Sequence, residues 1–116
     1  MDDDRWIRAR AVYDLALQRD NMPWAEIGHR MVALIGLLER DSRFAGVDVF
    51  SPMLALGLKI PGARQAVHVI WDPENTAYQV FLDHCEGEFH GNFAFASSAD
   101  IVDVISLYLH RFGIDF

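Results

Sequence analysis

Apolar side chains recur at intervals of three and four residues along two stretches near the start of the chain, the spacing of one helix face. A first helix is predicted from residue 2 to about residue 20, and its opening aspartates suit a helix amino terminus. A second is predicted to begin at Pro23 and to end between Arg40 and Arg43. The apolar positions are Trp6, Ala9, Tyr13 and Leu17 in the first helix and Trp24, Ile27, Met31, Leu34 and Leu38 in the second.

The pattern changes after residue 46, where apolar residues alternate with others or form short runs typical of β-strands. Residues 47–50 and 54–60 are predicted to be extended, with Ser51-Pro52 as a bend between them. A short helical turn that starts at Ser51-Pro52 is the alternative. The strongest signal is a β-hairpin of Ala66–Asp72 and Ala77–Asp83, because the Asp72-Pro73-Glu74-Asn75 turn between them has proline in its favoured second position.

A last strand is predicted over residues 89–96, followed by a helix that Ser97 or Ser98 caps and Gly113 ends. The buried face of this helix is predicted to consist of Ile101, Val104, Ile105, Tyr108 and Phe112. The order is helix, helix, an antiparallel meander of about four strands, helix. This order predicts an α+β fold in which the helices pack on one face of the sheet. The length suits a single domain over residues 1–116.

Successive residues of a strand point to opposite faces of the sheet, so the alternation divides the strand residues into two sets. Those predicted to face the helices are Val67, Val69, Trp71, Tyr78, Val80, Leu82, Phe89, Phe93 and Phe95. Those predicted on the opposite face are His68, Ile70, Gln79, Phe81, Asp83, Glu88, His90 and Asn92. The second set is polar with apolar islands, typical of a face that contacts solvent or a partner. The three tryptophans are all predicted to be core residues.

The net charge of -7 is unevenly distributed. Residues 1–64 carry nine acidic and nine basic side chains, whereas residues 65–116 carry eight acidic side chains and one basic side chain, Arg111. This balance argues against a nucleic-acid partner, which needs clustered Lys and Arg, and permits a basic protein partner. The acidic start of the chain, the single cysteine and the lack of a long apolar run predict a cytoplasmic protein that does not bind a membrane.

No kind of reactive site has its typical residue spacing in this sequence. His68, His84, Cys85 and His90 lack the ligand spacing of zinc sites, and the adjacent His84 and Cys85 point to opposite faces of a strand. The carboxylate pairs Asp83 with Glu88 and Asp72 with Glu74 fall in turns or at strand ends, where acids are solvated. The scattered glycines form no phosphate-binding loop. We therefore predict no catalytic residues, no metal and no cofactor.

Three segments, 71–75, 78–80 and 101–109, resemble those of small bacterial immunity proteins, the cognate inhibitors of toxins used in competition between bacteria. Many proteins of this kind are acidic α+β domains of about this size. The resemblance implies a non-catalytic module that covers the active site or an adjacent exosite of a toxin, and it assigns no residue roles. A small-ligand-binding or small enzymatic domain, and an adaptor subunit of a larger assembly, remain the alternatives.

The partner surface is predicted on the exposed sheet face. Ile70 and Phe81 would be its apolar anchors, because interface energy concentrates in a few desolvated side chains. The residues predicted to surround these anchors are His68, Asp83, Glu88 and His90. The alternative surface is the outer side of the last helix, with Asp100 and Asp103.

Overall fold

The computed structural model describes residues 4–17, 24–50, 55–63, 65–83 and 93–112. The predicted α+β class is confirmed, with five strands in place of about four. The elements in chain order are α1 (Asp4–Leu17), α2 (Trp24–Glu39), a short 3-10 helix (Ser42–Phe44), β1 (Asp48–Phe50), β2 (Leu56–Lys59), β3 (Ala66–Asp72), β4 (Ala77–Asp83), β5 (Phe93–Ala96) and α3 (Ile101–Phe112). The strands form one antiparallel sheet in the order β1-β2-β3-β4-β5.

The amino-terminal helices bury most of the residues that their spacing predicts, and the side chain of the predicted Leu17 lies outside the description. The buried helix residues are Trp6, Ala9 and Tyr13 in α1, and Ile27, Met31, Leu34, Ile35 and Leu38 in α2. Burial raises the pKa of the Tyr13 hydroxyl. The prediction was wrong for Trp24, which is 38% exposed because it is the first residue of α2 and precedes the buried turns. No described helix has the length and apolar content needed to cross a membrane.

One face of the sheet and the three helices share a single hydrophobic core. The strand residues of this core are Leu56, Leu58, Val67, Val69, Trp71, Tyr78, Val80, Leu82 and Ala96. Helix α3 contributes Ile101, Ile105 and Leu109, of which Leu109 was not predicted. Val104 and Tyr108 are only half-buried, and the side chain of Phe112 lies outside the description. The hydroxyl of Ser97 accepts a hydrogen bond from the backbone N–H of Asp100 at 3.3 Å, which confirms the predicted cap.

The predicted hairpin is confirmed over its full length, from the pair Ala66 and Asp83 to the pair Asp72 and Ala77. The Asp72 carboxylate holds the turn, because it accepts hydrogen bonds from the backbone N–H of Glu74 at 3.0 Å and from the Asn75 side chain at 2.8 Å. Thr76, with φ of 51°, completes the connection in the left-handed region.

Folding should depend on the charge of Asp72. The Asn75 side-chain amide, aided by the backbone N–H groups of Asn75 and Glu74, holds the pKa of this carboxyl below its ordinary value. A lowered pKa stabilises the folded state above the unfolded-state pKa of about 3.9, and that stability is lost as the pH falls through the still lower folded value. Asp72→Asn should therefore lower the free energy of unfolding at pH 7 by an amount that shrinks below about pH 4.

Urea titrations of the two proteins from pH 7 to pH 3 measure this difference. The exposed neighbour Glu74 provides the control, because the turn uses only its backbone N–H. Glu74→Gln should leave the pH profile of the wild type unchanged. A difference between wild type and Asp72→Asn that stays constant over the whole range would contradict a role for the charge.

The face assignment of the last strand was wrong. The register pairs Ala96 with Tyr78 and Phe95 with Gln79. Directly paired residues share a face, so the alanines of β5 lie on the helix side and Phe93 and Phe95 take the outer positions. Phe95 is 46% exposed. The alanines suit the helix side because the larger Tyr78 and Val80 already fill it.

Candidate functional site

Aromatic residues cross the sheet on the face turned away from the core. Phe50, Gly57, His68, Phe81 and Phe93 are directly paired from each strand to the next, from β1 to β5. We call these five positions the aromatic row. Four of the five strands contribute an aromatic residue to it, and β2 contributes the glycine.

Gly57 provides the space in which the Phe50 ring lies. A Cβ at position 57 would come within 2.5 Å of the Phe50 ring atoms Cε2 and Cζ, so the ring lies over the β2 backbone. The ring then meets His68 edge-on, with 5.6 Å between centroids, and His68 stacks on Phe81 at 5.4 Å. Phe50 remains 39% exposed. From Phe50 to Phe81 the row is therefore a packed layer that is open to solvent at Phe50.

Two further rows flank the aromatic row on the same face. Ile70, Gln79 and Phe95 are paired on one side, where the first two are half-buried. On the other side, Asp48 pairs with Lys59 and Ala66 pairs with Asp83. Together the three rows make up what we call the outer sheet face. Its apolar centre thus has the charged residues Asp48 and Lys59 at one border.

The predicted partner residues occupy different parts of this surface. Ile70 and Phe81 lie on it, half-buried, as predicted. His68 was expected at the exposed rim, but it is only 8% exposed, because the rings of Phe50 and Phe81 cover it from two sides. The backbone of Asp83 lies in β4 at the predicted position, and its side chain is outside the description. Glu88 and His90 lie outside the described residues.

Sequence reasoning missed Phe50 and Phe95 as members of this surface. For Phe50 the useful signal was Gly57, since a glycine inside a strand often marks a close approach by another group. For Phe95 the alternation of phenylalanine and alanine was visible, but it fits either face until the register is known.

The alternative surface, the outer side of α3, is less negative than its sequence suggests. The guanidinium of Arg43 donates to Asp103 at 3.1 Å and to Asp41 at 2.8 Å. The hydrogen bonds that the guanidinium and the backbone N–H of Arg43 donate to Asp41 hold the pKa of that carboxyl below its ordinary value. The cation offsets part of the negative field of Asp103, so α3 would attract a basic partner less strongly than an unpaired acidic helix would.

A groove lies between the 3-10 helix and α3, with a volume of about 260 Å³. Its lining includes Phe44, Val47, Ile60, Leu109 and His110. Sites for small molecules usually enclose about 300–1,000 Å³ and bury most of the ligand, so this open groove is small for such a role.

Of the metal-site candidates in the sequence, the structure describes only His68. His84, Cys85 and His90 fall outside the described residues. Among the residues that are described, no group of three or more His, Cys, Asp or Glu side chains is arranged to hold a metal ion.

Comparison with protein-family models, with curated proteins and with solved structures finds no match for this chain.

Proposed function

We propose that this protein is a non-catalytic binding module that docks a basic protein on its outer sheet face. The observation that supports this proposal is the aromatic row, which together with Ile70 and Phe95 forms an apolar layer on the sheet face away from the core. Aromatic side chains are enriched among the residues that dominate interface energies.

The ring contacts of this layer favour binding in a second way. Phe50, His68 and Phe81 hold one another in fixed orientations through edge-on and stacked contacts. Side chains that are already ordered lose little conformational entropy when a partner covers them. The acidic second half of the chain adds long-range attraction for a cationic partner, which raises association rates and disfavours acidic competitors.

Within this proposal, the partner is a toxin domain and the protein is its cytoplasmic immunity protein. The support is the resemblance of segments 71–75, 78–80 and 101–109 to immunity proteins, together with the acidic charge and the small size. An inhibitor of this kind needs affinity and steric coverage and no chemistry of its own. The apolar outer sheet face of an acidic domain suits both needs.

Ile70→Lys should weaken binding at least about tenfold, because it inserts an ammonium group into the apolar layer and repels a cationic partner. The partner to test is a basic toxin domain encoded beside this gene. The two proteins are co-expressed to score protection, and their dissociation constant is measured by surface plasmon resonance.

Leu37→Lys provides the matched control, because Leu37 is 40% exposed on α2 and lies away from the outer sheet face. Its affinity should equal that of the wild type. Leu107→Lys tests the α3 surface, where Leu107 is 59% exposed. If Leu107→Lys loses binding and Ile70→Lys keeps wild-type affinity, the interface lies on α3. Failure to capture any basic partner would contradict the proposal and favour the small-ligand alternative.

A further inference from the structure

The two edges of the sheet differ in how they are protected. At β1, which has three residues and carries the charged Asp48, helix α1 packs against the strand. The Arg5 guanidinium donates hydrogen bonds to the carbonyl oxygens of Val47, Ala45 and Phe44, in the segment that leads into this strand. Short length, charge and a covering element are the usual means by which proteins keep an edge from pairing.

β5 is also short, with four residues, but charge is missing from its sequence. Residues 92–98 read Asn-Phe-Ala-Phe-Ala-Ser-Ser, with no charged residue and no proline. In the described part of the chain, β5 has one paired neighbour, β4. Alternate N–H and C=O groups of such a strand point away from that neighbour and can pair with another chain.

We propose that the basic partner binds by adding an extended segment to β5 as a sixth strand, which rests on the proposed function above. The outer sheet face continues to this edge, because Phe93 belongs to the aromatic row and Phe95 to the row beside it. One extended segment can therefore pair with β5 through its backbone and pack alternate side chains against the exposed ring of Phe95. Backbone pairing gives affinity in such complexes, and the alternate side chains give specificity.

Charge selects a basic segment over a second copy of this chain. A carboxylate follows the carboxyl end of β5: Asp100, whose backbone N–H donates to the Ser97 hydroxyl and whose carboxylate accepts from that hydroxyl at 3.4 Å. Cationic side chains at that end of an added strand would lie near this group. A second copy would instead bring together two chains that each carry a net charge of -7.

The test uses the intact protein and a seven-residue peptide of alternating lysine and valine as the probe. The isotope-labelled protein is titrated with this peptide, and amide chemical shifts are followed by NMR. We expect saturable shifts at Phe93–Ala96 and intermolecular contacts between backbone protons of peptide and β5. The same peptide with its central valine replaced by proline should bind at least about tenfold more weakly, since proline removes a ladder hydrogen bond. A glutamate–valine peptide should be weaker by a similar factor.

Each other result overturns strand addition. Shifts confined to Ile70, Gln79 and Phe81 would mean that basic segments bind the face and not the edge. Equal affinity for the proline-containing peptide would also mean that binding does not use the backbone groups of the β5 edge. Broadening at β5 with rising protein concentration and no peptide would assign the edge to a second copy. An absence of shifts at β5 would remove the proposal, while the effect of Ile70→Lys on the basic toxin domain would still decide the proposed function independently.

Discussion

Replacing Trp71 with alanine should lower the free energy of unfolding by about 3–5 kcal/mol, the usual cost of deleting a large core side chain. Trp71 is 2% exposed and connects three elements of the fold. Its indole N–H donates to the Glu26 carboxylate at 2.7 Å, its ring meets Tyr78 edge-on at 4.9 Å, and the Arg30 guanidinium lies 4.3 Å from the ring centroid. The deletion would therefore leave a cavity between the hairpin and α2 and a carboxylate without its donor.

Urea unfolding monitored by circular dichroism measures this loss. Trp24→Ala is the matched control, because Trp24 is 38% exposed. This replacement should lower the free energy of unfolding by less than about 1 kcal/mol. Trp71→Phe separates packing from hydrogen bonding, since it keeps a ring and removes the donor to Glu26. The free energy of unfolding of Trp71→Phe should lie between those of the wild type and Trp71→Ala. A cost for Trp71→Ala below about 1 kcal/mol would contradict the central position of this side chain.

The second large effect should come from Gly57→Val. Any side chain at this position meets the Phe50 ring, whose nearest atoms would be 2.5 Å from the new Cβ. The ring must leave its place over β2 and lose its edge-on contact with His68. Overpacking of this kind costs about 1–3 kcal/mol, reduced here by the better strand propensity of valine. The displaced ring should also weaken binding of the basic toxin domain at least about tenfold.

A double-mutant cycle with Phe50→Ala separates the two consequences. Removal of the ring relieves the clash, so Gly57→Val with Phe50→Ala should recover stability relative to Gly57→Val alone. Binding should stay weak in the double variant, because the anchor is absent. Additive stability changes would mean that the two side chains do not compete for the same space. Full binding in either variant would remove Phe50 from the proposed interface.

Much of the fold was predictable because its signals are local. The hairpin of β3 and β4 is specified by the Asp72 turn and by matched alternation on both sides of it. The helices follow from apolar spacing and, for α3, from the Ser97 cap. The count of about four strands was one short because β1 and β2 are only three and four residues long, and their two extended segments were predicted to be joined by a bend at Ser51-Pro52.

The errors concern information that no single segment contains. Whether Phe95 or Ala96 faces the helices depends on the register between β4 and β5, which a pattern of two alternating residue types leaves open. His68 is buried because Phe50 reaches across Gly57 from another strand. That arrangement depends on the pairing of β1 with β2 and on a glycine at one position. The sequence therefore placed Ile70 and Phe81 correctly on the outer sheet face, but it missed Phe50 and Phe95 there.

The contacts of Arg5 with the carbonyl oxygens of Phe44, Ala45 and Val47 bear on how an assembly of this protein would stop growing. A sheet that can pair at only one edge is complete after a single addition, so a complex built on it has a fixed stoichiometry. A sheet with two available edges can join head to tail, and such contacts propagate into open filaments when they do not close. If a partner strand adds to β5 as proposed, helix α1, which packs against β1, keeps the other edge from adding a second one. Removing the guanidinium of Arg5 would loosen that cover and favour larger assemblies.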